Sequence, residues 1–272
     1  MTLPLIKTKP TVVTIHDLIP IKYPDKFPRG IRGEVKWQIQ RYSLTSATRI
    51  IADSASSKRD ILKHVGYDQN NISVVHLAPD PAIIAGAGNG SERRKFLIYV
   101  GDLNWNKNIY GLLEGFSKIA TEVNLVVVGR AFLDEKLPEA IVVRKYIEKH
   151  NLKTRVTFLG YVSDQKLGAL YASSLGCVLP SFYEGFGLPV LEAMACGTPV
   201  ICSRGSSLDE VAGPALRVDA KDPTSIAQEL SVLVDLSQHR RKELVDRGRE
   251  WSAKFTWEKV ARKTASVYES TV

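Results

Sequence analysis

The sequence predicts an α/β protein in which parallel sheets are covered by helices on both faces. Three observations carry that reading. Short β-branched runs alternate with helical patterns along nearly the whole chain, which is how βαβ units read in sequence. One run, Leu125–Val128, is entirely branched or Leu, as expected of a parallel strand buried on both faces. The string from Ser181 to Pro199, SFYEGFGLPVLEAMACGTP, reads as a strand end, a glycine turn and a helix start.

In order, Thr11–Ile15 is β-branched and predicts a strand. Apolar residues spaced at Val35, Ile39 and Tyr42 predict a helix over Ile31–Thr45. Arg49–Ala52 is a strand, and the serines from Ser54 cap a helix to His64. Ile72–His76 is the third strand. Residues 82–94 are small, flexible and then polar, so they predict a linker between a first domain at 1–88 and a second at 89–254. Beyond it, strands are expected at Phe96–Val100, Leu125–Val128, Val156–Leu159, Leu175–Leu179 and Pro199–Cys202, about five over 95–220. Helices are expected at Asn108–Ile119, Glu139–His150, Asp164–Ala172, the stretch after Pro189, a short turn at Leu208–Val211, Ser225–Leu236, His239–Lys254 and Trp257–Tyr268.

The richest chemistry lies at 181–199. Glu184 and Glu192 stand eight positions apart, separated by Gly185-Phe186-Gly187-Leu188-Pro189. Pro suits a first helical turn, and a glycine turn leading into a helix aims backbone N–H groups and a positive dipole end at its contents. A phosphate or a phosphate-bearing sugar fits that geometry. Glu192 is expected in the first turn, ready to accept hydrogen bonds from sugar hydroxyls. A second loop, Gly101-Asp102-Leu103-Asn104-Trp105-Asn106-Lys107-Asn108, also leads from a strand into a helix. Its Lys107 supplies a point positive charge for a diphosphate. Each Glu or Lys alone would read as a solvated surface residue; turn, helix start and both acids together point to a site.

These strings resemble the E-x7-E signature of the retaining glycosyltransferases of family 4, which have the GT-B fold. The resemblance implies a complete Rossmann-like C-terminal domain beside a partial Rossmann-like N-terminal one. It places Glu184 and the turn Gly185, Phe186, Gly187 and Leu188 against the donor sugar, and Glu192 on the nucleotide ribose. It puts Gly101, Asn106 and Lys107 in the diphosphate loop, with Asn106 standing where many members carry Arg. Thr157-Phe158-Leu159-Gly160-Tyr161-Val162 resembles the strand end that lines the base, which singles out Gly160 and Tyr161. Ser206-Ser207-Leu208-Asp209-Glu210-Val211 resembles a further family loop, but with Asp209 in place of its Pro. His16, at the end of the first strand, matches a family His that faces the donor. Glu184, His16 and Lys107 are therefore the catalytic candidates. Asp53-Ser54-Ala55-Ser56 resembles a stretch that caps a helix of the first domain.

Composition narrows the alternatives. With 272 residues, 44% hydrophobic and 24% charged, the chain is ordinary for a globular protein of one large or two small domains. No apolar run reaches the roughly 18 residues of a membrane span, and the start lacks a signal-peptide core. Cys177, Cys196 and Cys202 show no metal-ligand spacing and read as buried thiols of a reducing compartment. A cytoplasmic protein is expected. The net charge is +8; residues 1–88 carry 12 Lys and Arg against 7 Asp and Glu. That excess suits a solvated basic surface, or attraction to an anionic membrane and lipid-phosphate acceptors, giving a location at the inner membrane face. Zinc-finger spacing, RNP-like strings and arginine tracts are all missing, so no nucleic acid is expected.

Family members begin with a complete Rossmann domain, whereas residues 1–88 resemble only its second half, with the segment from Phe255 to Tyr268 resembling the helix that returns to it. Three strands make a small sheet, so exposed apolar surface and self-association or a partner chain are expected there. The expected function is transfer of a sugar, with retention, from a nucleotide-diphosphate-sugar donor to a hydroxyl of a polysaccharide or lipid-linked glycan. The resemblance implies no bound metal or other cofactor. The alternatives are a nucleotide-sugar-binding protein with little or no transfer activity, or half of a two-chain enzyme. An epimerase of the same fold would lack the E-x7-E string.

Overall fold

The computed structural model describes residues 7–88, 95–120 and 122–271. Contacts divide the chain into two units: the first comprises 1–78, 184–186 and 255–272, the second 79–183 and 187–254. The boundary therefore falls ten residues before the expected one, between Ala78 and Pro79.

The first unit opens with β1 (Val12–Ile15), the single helical turn α1 (Ile19–Lys22), α2 (Gly30–Thr45), β2 (Arg49–Ala52), α3 (Ala55–His64) and β3 (Ile72–Val74). Its three strands are parallel, in the order β1-β2-β3. Ser54 caps α3 by accepting from the Ser57 N–H at 2.9 Å. Val13, Ile15, Ile50, Ala52 and Ile72 on the strands pack with Leu44 of α2 and Ile61 of α3.

The presence of α2 follows the sequence, but its orientation does not. Val35, Ile39 and Tyr42, the spaced positions that signal the helix, are 54%, 47% and 70% exposed. Leu44 and half-buried Trp37 hold the helix to the core instead.

The second unit runs α4 (Pro81–Gly86), β4 (Phe96–Val100), α5 (Ile109–Ser117), β5 (Asn124–Val128), α6 (Pro138–Lys149), β6 (Val156–Gly160), α7 (Asp164–Ser173), β7 (Gly176–Leu179), α8 (Leu188–Ala195), β8 (Val200–Ser203), α9 (Leu208–Val211), β9 (Leu216–Val218), α10 (Pro223–Val234) and α11 (Gln238–Ser252). Six strands, one more than expected, form a parallel sheet in the order β6-β5-β4-β7-β8-β9. That is the doubly wound arrangement, and its strand order reverses between β4 and β7. Side chains alternate faithfully. Leu97, Tyr99, Leu125 and Val127 face one core with Phe116, Val143, Ile226 and Leu230. Ile98, Cys177, Leu179 and Cys202 face the other with Tyr171, Val190 and Met194. The three cysteines are buried free thiols; burial pushes Cys202 up to about 11 and Cys196 up to about 12.

The expected linker is partly a helix: Asp80 caps α4 at 2.7 Å, while residues 89–94 lie outside the described ones. The chain ends in α12 (Trp257–Glu269), capped by Thr256. Its Val260 and Val267 pack with Val12, Ile51 and Val75 of the first unit. Among the described residues no helix is long and apolar enough to cross a membrane.

Candidate functional site

Ligands of doubly wound sheets bind beyond the strands' carboxyl ends at the point where strand order reverses. In the second unit that point lies between β4 and β7, which pair directly. The loop after β4 is Gly101–Asn108 and the loop after β7 begins at Pro180, so the two strings singled out in sequence emerge side by side.

The fold fastens these loops together. The Phe182 N–H donates to the Asn106 carbonyl at 2.8 Å, and the Asn106 side-chain amide donates to the Tyr183 carbonyl at 3.0 Å. The rings of Trp105 and Phe182 stack with centroids 5.0 Å apart. Asn108 adopts a left-handed conformation (φ 53°), caps α5 through the Gly111 N–H at 3.1 Å, and donates to the carbonyls of Pro180 at 2.9 Å and Ala220 at 2.8 Å. Lys107 closes a 3-10 turn in this brace. Asn106 is buried, and its side-chain amide helps to hold the loop.

Helix α8 begins at Leu188, one residue before Pro189, with Gly187 at φ 105° as its cap position and no side-chain cap on its first N–H groups. Pro189 has no N–H and the Val190 N–H donates to the Gly187 carbonyl at 3.0 Å, so the Leu188 N–H and the positive end of the helix are what this start offers an anion. Glu192 is one turn deeper than expected, in the second turn of α8. It is only 8% exposed, and the Tyr171 hydroxyl donates to it at 3.5 Å. Burial first, then the Asp80 carboxylate, push Glu192 up to about 7, against the opposing pull of Tyr171.

Three neighbouring strand ends complete the edge. The Gly101 N–H donates to the Val128 carbonyl at 3.0 Å, and the Gly129 N–H to the Gly160 carbonyl at 3.1 Å. Tyr161 follows, 78% exposed. Asp209, the departure from the family's Pro, accepts from the Gly205 N–H at 2.9 Å and pairs with Arg217, which stabilises its own loop.

In the first unit His16 and Asp53 form a second constellation. The His16 Nδ1 lies 2.7 Å from the Asp53 Oδ2; the imidazole is 65% exposed and the carboxylate 3%. Burial raises Asp53 above the ordinary carboxylate range, with His16 opposing and the Asp17 charge adding to the rise. The other oxygen, Oδ1, is buried and has no hydrogen-bond partner among the described residues. A carboxylate on Nδ1 fixes that nitrogen as the N–H and leaves Nε2 as the free acceptor. Asp53→Asn should therefore shift His16 toward the Nε2–H tautomer, read from imidazole ¹⁵N shifts. An unchanged tautomer ratio would contradict the pairing.

Residues 184–186 belong to this unit. The hydroxyls of Ser54 and Ser57 donate to the Gly185 carbonyl at 2.7 and 3.1 Å, and Ser57 also donates to the His16 carbonyl at 2.9 Å. A Cβ on Gly185 would lie 2.7 Å from both the Asp17 Cβ and the His16 carbonyl oxygen, so only glycine fits. Glu184 is buried, and Phe186 is buried with its ring 5.9 Å from that of His76. Beside them a cavity of about 220 Å³ is lined by Ile15, His16, Asp17, Leu18, Trp37, Gln40 and Leu44.

Sequence reading did not single out Asp53 as the partner of His16, nor Tyr171 as that of Glu192. Asp53 read as part of a capping stretch, and Tyr171 lies inside the expected helix Asp164–Ala172 with nothing to mark it. Among the described residues no group of three or more His, Cys, Asp or Glu could hold a metal ion.

A doubly wound unit with braced loops at its switch point is the α/β arrangement of the GT-B fold. The chain belongs to the family described as glycosyl transferases group 1, whose model matches residues 84–251, and the model for Glycosyltransferase Family 4 matches residues 2–82. It is 31% identical to the O-antigen chain mannosyltransferase B of Escherichia coli over 95% of this chain and 70% of that protein. It is 30% identical to the MMP alpha-(1->4)-mannosyltransferase of Mycolicibacterium hassiacum over 86% of this chain and 57% of that one. Among solved structures, sucrose-phosphate synthase from Thermosynechococcus elongatus superposes with a TM-score of 0.76 at 26% identity, covering 95% of this chain and 67% of that one. Anabaena HepE in complex with UDP and glucose shares the fold, with a TM-score of 0.76 at 18% identity over 96% and 71% of the two chains.

Proposed function

We propose that this chain transfers a hexose, with mannose the first candidate, from a nucleotide-diphosphate donor to a hydroxyl of a polysaccharide or lipid-linked glycan, with retained configuration. The observation that carries the reading is the brace between the loops after β4 and β7, which sets Lys107 beside the loop that leads to the α8 N-terminus. Mannose is favoured by the names of two relatives, the E. coli and M. hassiacum mannosyltransferases.

In this reading Lys107 and the positive end of α8 stabilise the departing diphosphate, a fixed electrostatic arrangement of the kind that lowers transition-state energy most. The bond from the anomeric carbon to the β-phosphate oxygen breaks, a bond to the acceptor oxygen forms, the acceptor's hydroxyl proton passes to the departing phosphate oxygen, and the nucleoside diphosphate leaves. Glu192 accepts from the ribose hydroxyls, and Gly160 and Tyr161 border the base. Glu184 and the backbone of Gly185–Leu188 face the sugar. His16, held by Asp53, is the catalytic candidate of the first unit, and the cavity it lines takes the acceptor. No metal takes part in this scheme.

The test is an assay of the purified chain with a panel of nucleotide sugars and lipid-linked acceptors, the product anomer read by NMR. Donor and product of the same anomeric configuration are expected. An inverted product would overturn retention. Binding without turnover on any acceptor would support a nucleotide-sugar-binding protein instead. In the same assay Asp53→Asn should lower kcat by about 10²-fold with KM little changed, because an unaligned imidazole costs rate more than binding.

A further inference from the structure

In the transfer reading the loops after β4 and β7 hold the diphosphate, and Gly160 and Tyr161 at the end of β6 border the base. Strand β5 lies between β4 and β6 in the sheet. Neighbouring strands are about 4.8 Å apart, so a nucleotide reaching from the β4 loop to the β6 loop crosses the end of β5. The residues at that end are Gly129 and Arg130.

The end of β5 is firmly seated. A Cβ on Gly129 would lie 2.1 Å from the Gly101 carbonyl oxygen, so this residue presses against the β4 loop. The 3-10 turn Arg130–Leu133 follows. Its Phe132 is buried, with the ring 5.3 Å from that of Phe158 and 6.1 Å from that of Tyr99. Arg144 donates to the Phe132 carbonyl at 3.1 Å. Leu133 lies over Gly160, where an added Cβ would meet its Cδ1 at 2.6 Å. The same turn that buries Phe132 thus leaves Leu133 open next to Tyr161, the two being 51% and 78% exposed. An apolar side chain and an aromatic ring at a strand end suit a flat ligand with apolar faces. Arg130, at the start of the turn, is exposed and has no ion-pair partner among the described residues.

The guanidinium narrows the choice of base. It carries five donors and no acceptor, so it needs a base edge with acceptors side by side. Guanine presents two, O6 and N7. Adenine sets an amino donor beside its N7, cytosine presents an amino donor, and uracil presents O4 alone. We propose that Arg130 makes this chain selective for a guanosine diphosphate donor, by donating to O6 and N7 of the base while Leu133 and Tyr161 border its faces; this assignment rests on the donor site of the transfer reading and adds the nucleotide to it.

The experiment is titration of the full chain with the diphosphates of guanosine, inosine, 7-deazaguanosine, adenosine and uridine. Inosine keeps O6 and N7, whereas 7-deazaguanosine lacks the N7 acceptor. Wild type should bind the guanosine and inosine forms alike and the other three at least about tenfold more weakly, the discrimination of one two-toothed contact. Arg130→Met keeps a side chain of similar length without the donors. It should weaken the guanosine and inosine forms by about tenfold, leave the adenosine and uridine forms unchanged and abolish the penalty for 7-deazaguanosine. Its thermal midpoint should stay at the wild-type value. Tighter binding of the uridine or adenosine form by the wild type would overturn the assignment. Equal losses for every base in Arg130→Met would overturn it too, by moving the residue to the phosphates. Binding of no diphosphate at all would strike the donor site itself, and the assignment with it.

Discussion

Lys107→Ala lowers kcat/KM for transfer by roughly 10²–10³-fold, the range seen when one preorganised group is removed from a developing negative charge. The loss falls on ligands that carry a diphosphate. Affinity for a nucleoside diphosphate should drop by about 1.5–3 kcal/mol, the value of a charge-assisted hydrogen bond, and affinity for the bare nucleoside should not change. The loop itself should stay in place, because Asn106, Asn108 and the Trp105–Phe182 stack brace it. Parallel titrations of both ligands check this. Equal losses for nucleoside and diphosphate would show that Lys107 acts by shaping the loop.

Glu192 gives the second large effect, and it is a dependence on pH. Its carboxyl is raised to about 7 in the folded chain from an ordinary value near 4.5, by burial and the neighbouring Asp80. Between those two values the native state holds a proton that the unfolded state has released, so unfolding free energy falls as pH rises through this window. The full difference is on the order of 3 kcal/mol. Glu192→Gln mimics the neutral form; it should match the wild type near pH 4.5 and exceed it in stability by that order above pH 7. Denaturant unfolding of both proteins across pH 4.5–8 isolates the contribution. Parallel curves would contradict it. Ribose hydroxyls donate to the ionised carboxylate, so nucleotide binding near pH 7 should release protons, seen as a buffer-dependent calorimetric enthalpy. Glu192→Ala should weaken that binding by about 1–3 kcal/mol with the fold intact.

Both predictions rest on residues that were legible in the sequence, because the strand-to-turn-to-helix passages around Lys107 and Glu192 are local patterns. What the sequence concealed was set by packing over distance. Helix α4 hides in a stretch that looks like linker, since Ile84-Ala85-Gly86-Ala87-Gly88 is small and glycine-rich. The glycine there serves close approach: a Cβ on Gly86 would lie 2.2 Å from the Gln165 carbonyl oxygen, and one on Gly168 of α7 would lie 1.9 Å from that of Ile83. The strand β9 is three residues long with Arg217 at its centre, too short and polar for a period to register. Helix α2 was read correctly as a helix from apolar spacing, yet that spacing reports an outward stripe. Periodicity reveals a helix face without saying which side of the helix meets the core. Asp53 and His16 are 37 positions apart, joined only because β1 and β2 pair in parallel with Ile15 opposite Ala52.

The central claim is that the two braced loops of the second unit bind a nucleotide-diphosphate sugar. Calorimetric titration of the purified chain with guanosine, uridine and adenosine diphosphates and their hexose conjugates tests it most directly. Saturable binding of at least one diphosphate is expected, with Lys107→Ala weakening that ligand by about tenfold or more and leaving its nucleoside untouched. No binding of any diphosphate or nucleotide sugar, by a chain that unfolds cooperatively, would contradict it.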